Sequence, residues 1–277
     1  MFIIKSSGKK VEFDSKKVRS SMLRSGADLK TADAVLAELQ KQLHSGMTTK
    51  QVYKIVYDEL KRRTACTACR YNLRNALLRL GPAGYNFEKY VASILKAYSY
   101  DAHVPDQEIE GSCVMHEVDV VAEKDHRIIF IEAKFRNRFN DNVDLKDTMA
   151  TWARFLDLVD GSAVGKCQHF DEAWIVTNAR FSDRARQFGI CKGIHMIGWN
   201  IPQERTFAKM VDNVSLYPVT VLDDLSQTEL DKLSHHGIML CKEVIEIDSN
   251  ELQEKLDGSE KRAIEIIQMC SEVVGEE

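Results

Sequence analysis

Residues 116–135 read His-Glu-Val-Asp-Val-Val-Ala-Glu-Lys-Asp-His-Arg-Ile-Ile-Phe-Ile-Glu-Ala-Lys-Phe. Two apolar runs flank a polar stretch, and each run carries charge. Asp119 lies between Val118 and Val120, while Glu132 and Lys134 interleave with Ile131, Ala133 and Phe135. Charge in half-buried strands is costly unless it is paired or binds a metal. The runs alternate with period two, so each is expected to be a strand, and residues 124–127 make a short turn between them. Folding this hairpin about the middle of the turn sets Asp119 opposite Glu132. Glu132 and Lys134, two residues apart, share a face. Two carboxylates and an ammonium then converge on one patch.

Close carboxylates repel unless a cation lies between them. A hard divalent ion such as Mg²⁺ takes one or two carboxylates and completes its shell with waters and phosphate oxygens. Lys134 could orient or activate a water, or stabilise an anionic transition state. The layout suits metal-assisted phosphodiester hydrolysis. The alternative is a solvated hairpin face with one cross-strand ion pair, which a short Asp…Glu-x-Lys pattern alone does not exclude.

The neighbouring sequence adds weight. The segment from Gly84-Tyr85-Asn86-Phe87-Glu88 has apolar residues at Phe87, Tyr90, Val91, Ile94, Leu95 and Tyr98, which is helical spacing. Glu88 falls in its first turn, where a carboxylate also suits the helix dipole. Downstream, 146–158 reads as a core helix carrying Met149, Trp152, Ala153, Phe155 and Leu156. Residues 173–178 read as a buried strand. Ser182 is expected to cap a helix ending near Gly189, and 194–199 to form a further strand. Strand, helix, strand implies a right-handed parallel crossover. Together these residues resemble the PD-(D/E)XK nucleases, in particular the Mrr-like restriction endonuclease group, over about 84–200. The resemblance implies an α-β-β-α-β-α-β mixed sheet and a site of Glu88, Asp119, Glu132 and Lys134. Asp119 and Glu132 would hold Mg²⁺ or Mn²⁺, and DNA would be the substrate.

The first 15 residues, with runs at Phe2-Ile3-Ile4 and Val11-Glu12-Phe13 around Ser6-Ser7-Gly8-Lys9, read as a small hairpin. Helices are expected from near Lys16 and over 31–44, 49–62 and 66–80, with Thr48 or Thr49 as an N-cap. Gly81-Pro82-Ala83-Gly84 breaks the pattern. This opening resembles the ATP-cone, a nucleotide-sensing module, over about 2–80. Ile3, Lys5, Gly8, Phe13, Asp14 and Lys17 match its pattern, and Thr49 matches a nucleotide-contacting threonine. ATP or dATP is the implied regulatory ligand. Ser6 stands where the family has an arginine, and serine cannot pair bidentately with phosphate. No Gly-x-x-x-x-Gly-Lys-Ser/Thr loop is present, so a P-loop motor is not indicated.

The chain has 277 residues and a formal net charge of −4, which hides a gradient. Residues 1–85 carry 17 Lys/Arg against 7 Asp/Glu, 86–200 carry 14 against 18, and 201–277 carry 7 against 17. The basic first part predicts a polyanionic partner. The acidic tail argues against strong DNA binding there, although a Gly237-Ile238 turn between helices loosely suggests a helix-hairpin-helix. In the tail Ser226 is expected to cap a helix with Leu230 and Leu233, and a last helix to run over 259–274. Cys66-x-x-Cys69 has no second pair at zinc spacing, so small core residues are the favoured reading. No apolar run reaches membrane-span length and the start is unlike an export signal, so a cytoplasmic protein with reduced thiols is expected.

The expected architecture is an α+β and α/β multidomain chain: a nucleotide-binding domain at 1–83, a nuclease-like domain at 84–205 and a mostly helical region at 206–277. The leading function is a nucleotide-regulated, Mg²⁺-dependent endonuclease, with nucleotide biasing its activity or homo-oligomeric state. The alternative is a non-catalytic, nucleotide-responsive nucleic-acid-binding protein or a regulator of deoxynucleotide metabolism.

Overall fold

The structure is a computed structural model that describes residues 1–5, 8–81, 86–138 and 141–275, the side chain of residue 65 excepted. Ser6 and the 82–84 part of the expected break lie outside these. The chain forms two compact units, one of residues 1–77 with 215–277 and one of 78–214.

The first unit opens with a hairpin of β1 (Phe2–Ile4) and β2 (Lys10–Glu12), in which Ile3 faces Val11. Gly8, at φ +78°, makes its turn, and its N–H donates to Lys5 O at 2.8 Å. Helices α1 (Ser15–Arg24), α2 (Leu29–Gln42) and α3 (Thr49–Arg63) follow, capped by Asp14, Asp28 and Thr48. Their apolar stripes meet in a core of Met22, Val35, Leu39, Val56 and Leu60. The single helix expected over 66–80 is broken into α4 (Ala65–Tyr71) and α5 (Leu73–Leu80). Asn72 ends α4, and its buried side chain is tied to Tyr53 and Asp223.

The second unit begins with α6 (Phe87–Ala97), β3 (Asp101–His103) and a small hairpin of β4 (Ile109–Glu110) and β5 (Met115–His116). The decisive hairpin follows as β6 (Val120–Lys124) and β7 (Arg127–Lys134). Its two-residue turn is Asp125-His126, with φ +53° and +61°, the left-handed pair that a tight hairpin turn requires. Then come β8 (Asn142–Val143), α7 (Leu145–Ala163), β9 (Glu172–Thr177), β10 (Arg180–Phe181), α8 (Asp183–Lys192), β11 (His195–Ile197) and α9 (Phe207–Val214). The main sheet runs β11-β9-β7-β6-β3, with β11, β9 and β7 parallel and β6 and β3 antiparallel to their neighbours. Strand β3 at the edge adds to the expected α-β-β-α-β-α-β order. Its central residue, Ala102, is fully buried between two exposed ones, too short a pattern to read from sequence.

Two helices differ from expectation. On α7 the buried stripe is Thr148, Thr151, Phe155, Leu158 and Gly161, whereas Met149 and Leu156 are exposed. The threonine hydroxyls donate to the carbonyls of Asp144 and Asp147, at 2.9 and 3.0 Å, and so become buriable. Helix α8 runs on to Lys192, because Gly189 serves packing: a Cβ there would lie 2.3 Å from Met196 Sδ. The helix ends at Gly193, at φ +71°.

The tail, residues 215–277, packs into the first unit, so the region expected at 206–277 divides at the end of α9. It comprises a 3₁₀ turn (Val219–Val221) and helices α10 (Gln227–His235), α11 (Cys241–Ile245), α12 (Ser249–Leu256) and α13 (Glu260–Val274). Ser226 caps α10 with a reciprocal bond to Glu229. The charges of the unit's two parts are complementary: 16 Lys/Arg against 7 Asp/Glu in 1–77, and 5 against 15 in 215–277. At their seam Asp223 accepts from Asn72 Nδ2 at 2.9 Å and from the Tyr57 hydroxyl. Lys61 reaches Asp224 at 3.2 Å, and Arg70 Nε donates to Val273 O at 2.8 Å. Cys66 and Cys69 are only half-buried, and all seven cysteines are free thiols. No described helix is long and apolar enough to cross a membrane.

The β4–β5 hairpin is sewn to α7 at one point. Asp157 accepts from Cys113 N at 2.9 Å and meets His116 Nε2 at 2.8 Å, and its carbonyl accepts from Ser112 N at 2.9 Å. The closeness requires Gly161, where a Cβ would lie 2.7 Å from the Gly111 backbone carbon. Gly161→Ala is therefore expected to lower stability by about 1–3 kcal/mol in denaturant unfolding. An unchanged midpoint would contradict the packing.

Candidate active site

The hairpin register pairs Val120 with Ile131, so the next position sets Asp119 opposite Glu132. Asp119 lies in the bend before β6 rather than inside a strand. Its Oδ2 accepts the Ala133 N–H at 2.7 Å, which fixes the carboxylate at the strand edge. Its Oδ1 takes no protein donor among the described residues.

Phe130, Glu132 and Lys134 point from β7 towards α7. Phe130 packs there against Phe155 and Leu158. Glu132 is 2% exposed. One of its oxygens pairs with Lys134 Nζ and the other with the guanidinium of Arg154 on α7. Lys134 is itself held at the backbone, where its carbonyl accepts from Thr177 Oγ1 at 2.5 Å. Asn178 then clamps Arg136, giving to its carbonyl and accepting from its N–H, both at 2.8 Å. Thr177 and Asn178, at the buried end of β9, thus lock the chain just past the Glu-x-Lys pair.

Glu88 stands in the first turn of α6, half-buried, and its charge reaches Asp119. Burial, reinforced by the neighbouring charges of Glu132 and Glu88, pushes the Asp119 carboxyl up to about 7, against the pull of the Ala133 N–H and Lys134. The structure therefore gathers Glu88, Asp119, Glu132 and Lys134 at one place. No group of three His, Cys, Asp or Glu among the described residues is arranged to hold a metal by itself. Two opposed carboxylates, one of them with a free oxygen, suit a hard ion that draws its other ligands from water and phosphate.

Arg154, Thr177 and Asn178 were not anticipated. Arg154 had a readable signal, since it falls three residues after Thr151 and four before Leu158, inside the buried stripe of α7. Thr177 and Asn178 read only as the end of a buried strand.

In the first unit, Ile4 N donates to Met47 O at 2.9 Å and Gly46 N to Phe2 O at 3.0 Å. These bonds lay the start of α3 beside the β1–β2 hairpin. Thr48 caps α3 in a reciprocal bond with Gln51, which leaves the Thr49 hydroxyl uncommitted among the described residues. Lys5 and Lys17 are exposed, and Gly8 forms the turn. The Ile3 side chain belongs to the core, and the Asp14 carboxylate caps α1 at 3.0 and 3.3 Å from Lys16 N and Lys17 N.

Comparison with known proteins decides the family. Models of the ATP cone domain, of a restriction endonuclease domain and of an AF1548-like C-terminal domain match residues 1–76, 82–199 and 217–274. A protein of Archaeoglobus fulgidus, described only as uncharacterized, is 35% identical over 167 residues, 60% of this chain and 90% of that protein. This chain belongs to the AF1548-like family, with an ATP-cone domain followed by a restriction endonuclease domain. A solved structure titled as the protein of unknown function AF1548 is similar at a TM-score of 0.56 and 33% identity, over 69% of this chain and 97% of that one. The Asp119–Glu132 pair lies within the restriction endonuclease match.

The raised Asp119 carboxyl has a consequence for stability. An unfolded aspartate titrates near 4, so between about 4 and 7 the folded chain holds the proton more tightly. The contribution is full below the unfolded value and is lost as pH rises through the folded one. In EDTA, Asp119→Asn is thus expected to raise the thermal midpoint relative to wild type at pH 8 but not at pH 4. A difference that does not change with pH would contradict the burial of a repelled carboxyl.

Proposed function

We propose that the restriction endonuclease domain hydrolyses phosphodiester bonds in DNA with Mg²⁺, and that ATP or dATP bound to the ATP-cone domain regulates it. The observation that carries this reading is the buried Glu132 set opposite Asp119, with Lys134 on the same face. A domain that only bound nucleic acid would have no use for an acidic pair held at this cost.

Asp119 and Glu132 would hold the ion, with Glu88 completing the acidic cluster. When bound, the ion supplies a Lewis acid that polarises phosphate and eases deprotonation of water. Lys134 gives one N–H to Glu132 and has others to orient the attacking water and steady the charge growing on the phosphate oxygens. Attack forms one P–O bond and breaks another, and the departing sugar oxygen takes up a proton. The hydrophobic wall of Phe130 and Phe155 behind Glu132 keeps the local dielectric low, which strengthens each of these interactions.

For the nucleotide, Lys5, Gly8, Lys17 and Thr49 offer cations, a tight turn and a free hydroxyl beside the start of α3. Ile3 and Asp14 would act through the backbone they hold in place. Anions are favoured where a helix start faces clustered lysines.

The reading is tested by cleavage of supercoiled and linear DNA in Mg²⁺ or Mn²⁺, with and without ATP, ADP or dATP. Glu132→Gln and Lys134→Met are expected to lower the rate by about 10²-fold or more. Thr49→Ala is expected to leave basal cleavage intact and to weaken the response to nucleotide. Equal rates for wild type and both site variants would overturn the assignment.

A further inference from the structure

We infer that Arg154 is the residue that grips the substrate phosphate at the metal site, a role that rests on the nuclease reading above. Its side chain is 26% exposed and pairs through one guanidinium nitrogen with Glu132. Its carbon lies 5.8 Å from the centre of the Phe130 ring. Among the described residues no other protein acceptor takes its remaining N–H groups. A planar cation partly withdrawn from water that spends one N–H on Glu132 keeps further N–H groups beside the site, and a guanidinium fork suits two oxygens of a phosphate.

Charge balance points the same way. Glu88, Asp119 and Glu132, when ionised, oppose Lys134 and Arg154 and leave one excess negative charge. A divalent ion reverses this to one positive charge, which a single phosphodiester cancels. Without Arg154 the loaded site would have no net positive charge to offset that of the phosphate.

The sequence of α7 fits this purpose. Thr151, Phe155 and Leu158 bury the stripe on which Arg154 sits, and Glu132 and the Phe130 ring hold its guanidinium in place. The capping box of Asp144 and Asp147 fixes the start of the same helix. Little entropy is then lost when the guanidinium meets its ligand.

Two variants of the full chain separate phosphate contact from support of Glu132. Arg154→Gln keeps a donor for Glu132 but removes the charge, and Arg154→Lys keeps the charge without the fork. A short fluorescein-labelled DNA duplex is titrated in Ca²⁺ over a series of KCl concentrations, and Mn²⁺ affinity is read by calorimetry. Arg154→Gln is expected to weaken DNA binding and to make the slope of log affinity against log salt shallower by about 1. Its Mn²⁺ affinity is expected to stay within a few-fold of wild type or to tighten. Arg154→Lys is expected to restore the salt slope while cleavage in Mg²⁺ stays reduced. A wild-type slope in Arg154→Gln, or loss of Mn²⁺ and DNA binding together, overturns the inference while leaving the nuclease reading standing. A wild-type protein that binds neither Mn²⁺ nor DNA overturns both.

Discussion

A carboxylate that is 2% exposed is the constraint on which the second unit depends. Glu132 sits in the central strand of a five-stranded sheet, with apolar residues on either side in sequence. An isolated charge there would be prohibitive, so its surroundings must neutralise it. Lys134 does so from the same strand and Arg154 from α7. The second partner imposes a position on the helix, and the helix is pinned in turn by the Asp157 bonds and the Gly161 contact with the β4–β5 hairpin. Asp119 completes the arrangement from the bend that leads into β6, where burial and then repulsion by Glu132 raise its affinity for a proton. Such a site carries stored electrostatic cost, of the kind that a cation relieves.

The first unit solves a different problem. Its N-terminal part is strongly basic and its tail strongly acidic, although the whole second unit separates them in sequence. Folding them together answers part of the positive charge within the chain, through Asp223, Asp224 and the carbonyl of Val273. The positive charge near β1, β2 and the start of α3 is left facing solvent, on Lys5, Lys9, Lys10 and Lys17.

The hairpin was legible because its alternation and turn length determine register by arithmetic, so Asp119 and Glu132 could be set opposite each other before any coordinates. Glu88 followed from helical spacing. What escaped reading was long-range or polar. Arg154 is 22 residues from its partner. The buried face of α7 is built on threonines whose hydroxyls bond within the helix, so a hydrophobic count favoured Met149 and Leu156 instead. Gly189 looked like a helix end because its contact with Met196 is tertiary. At the break between α4 and α5, Asn72 is bonded to Asp223 in the distant tail, a contact no local pattern shows.

The most direct test is a crystal of the full chain grown or soaked with Mn²⁺, with anomalous diffraction locating the ion. The expected result is a single strong peak between the Asp119 and Glu132 carboxylates, with the free Oδ1 of Asp119 turned onto it. An ion bound elsewhere, with Glu132 still shared by Lys134 and Arg154 and Asp119 unmoved, would contradict the account.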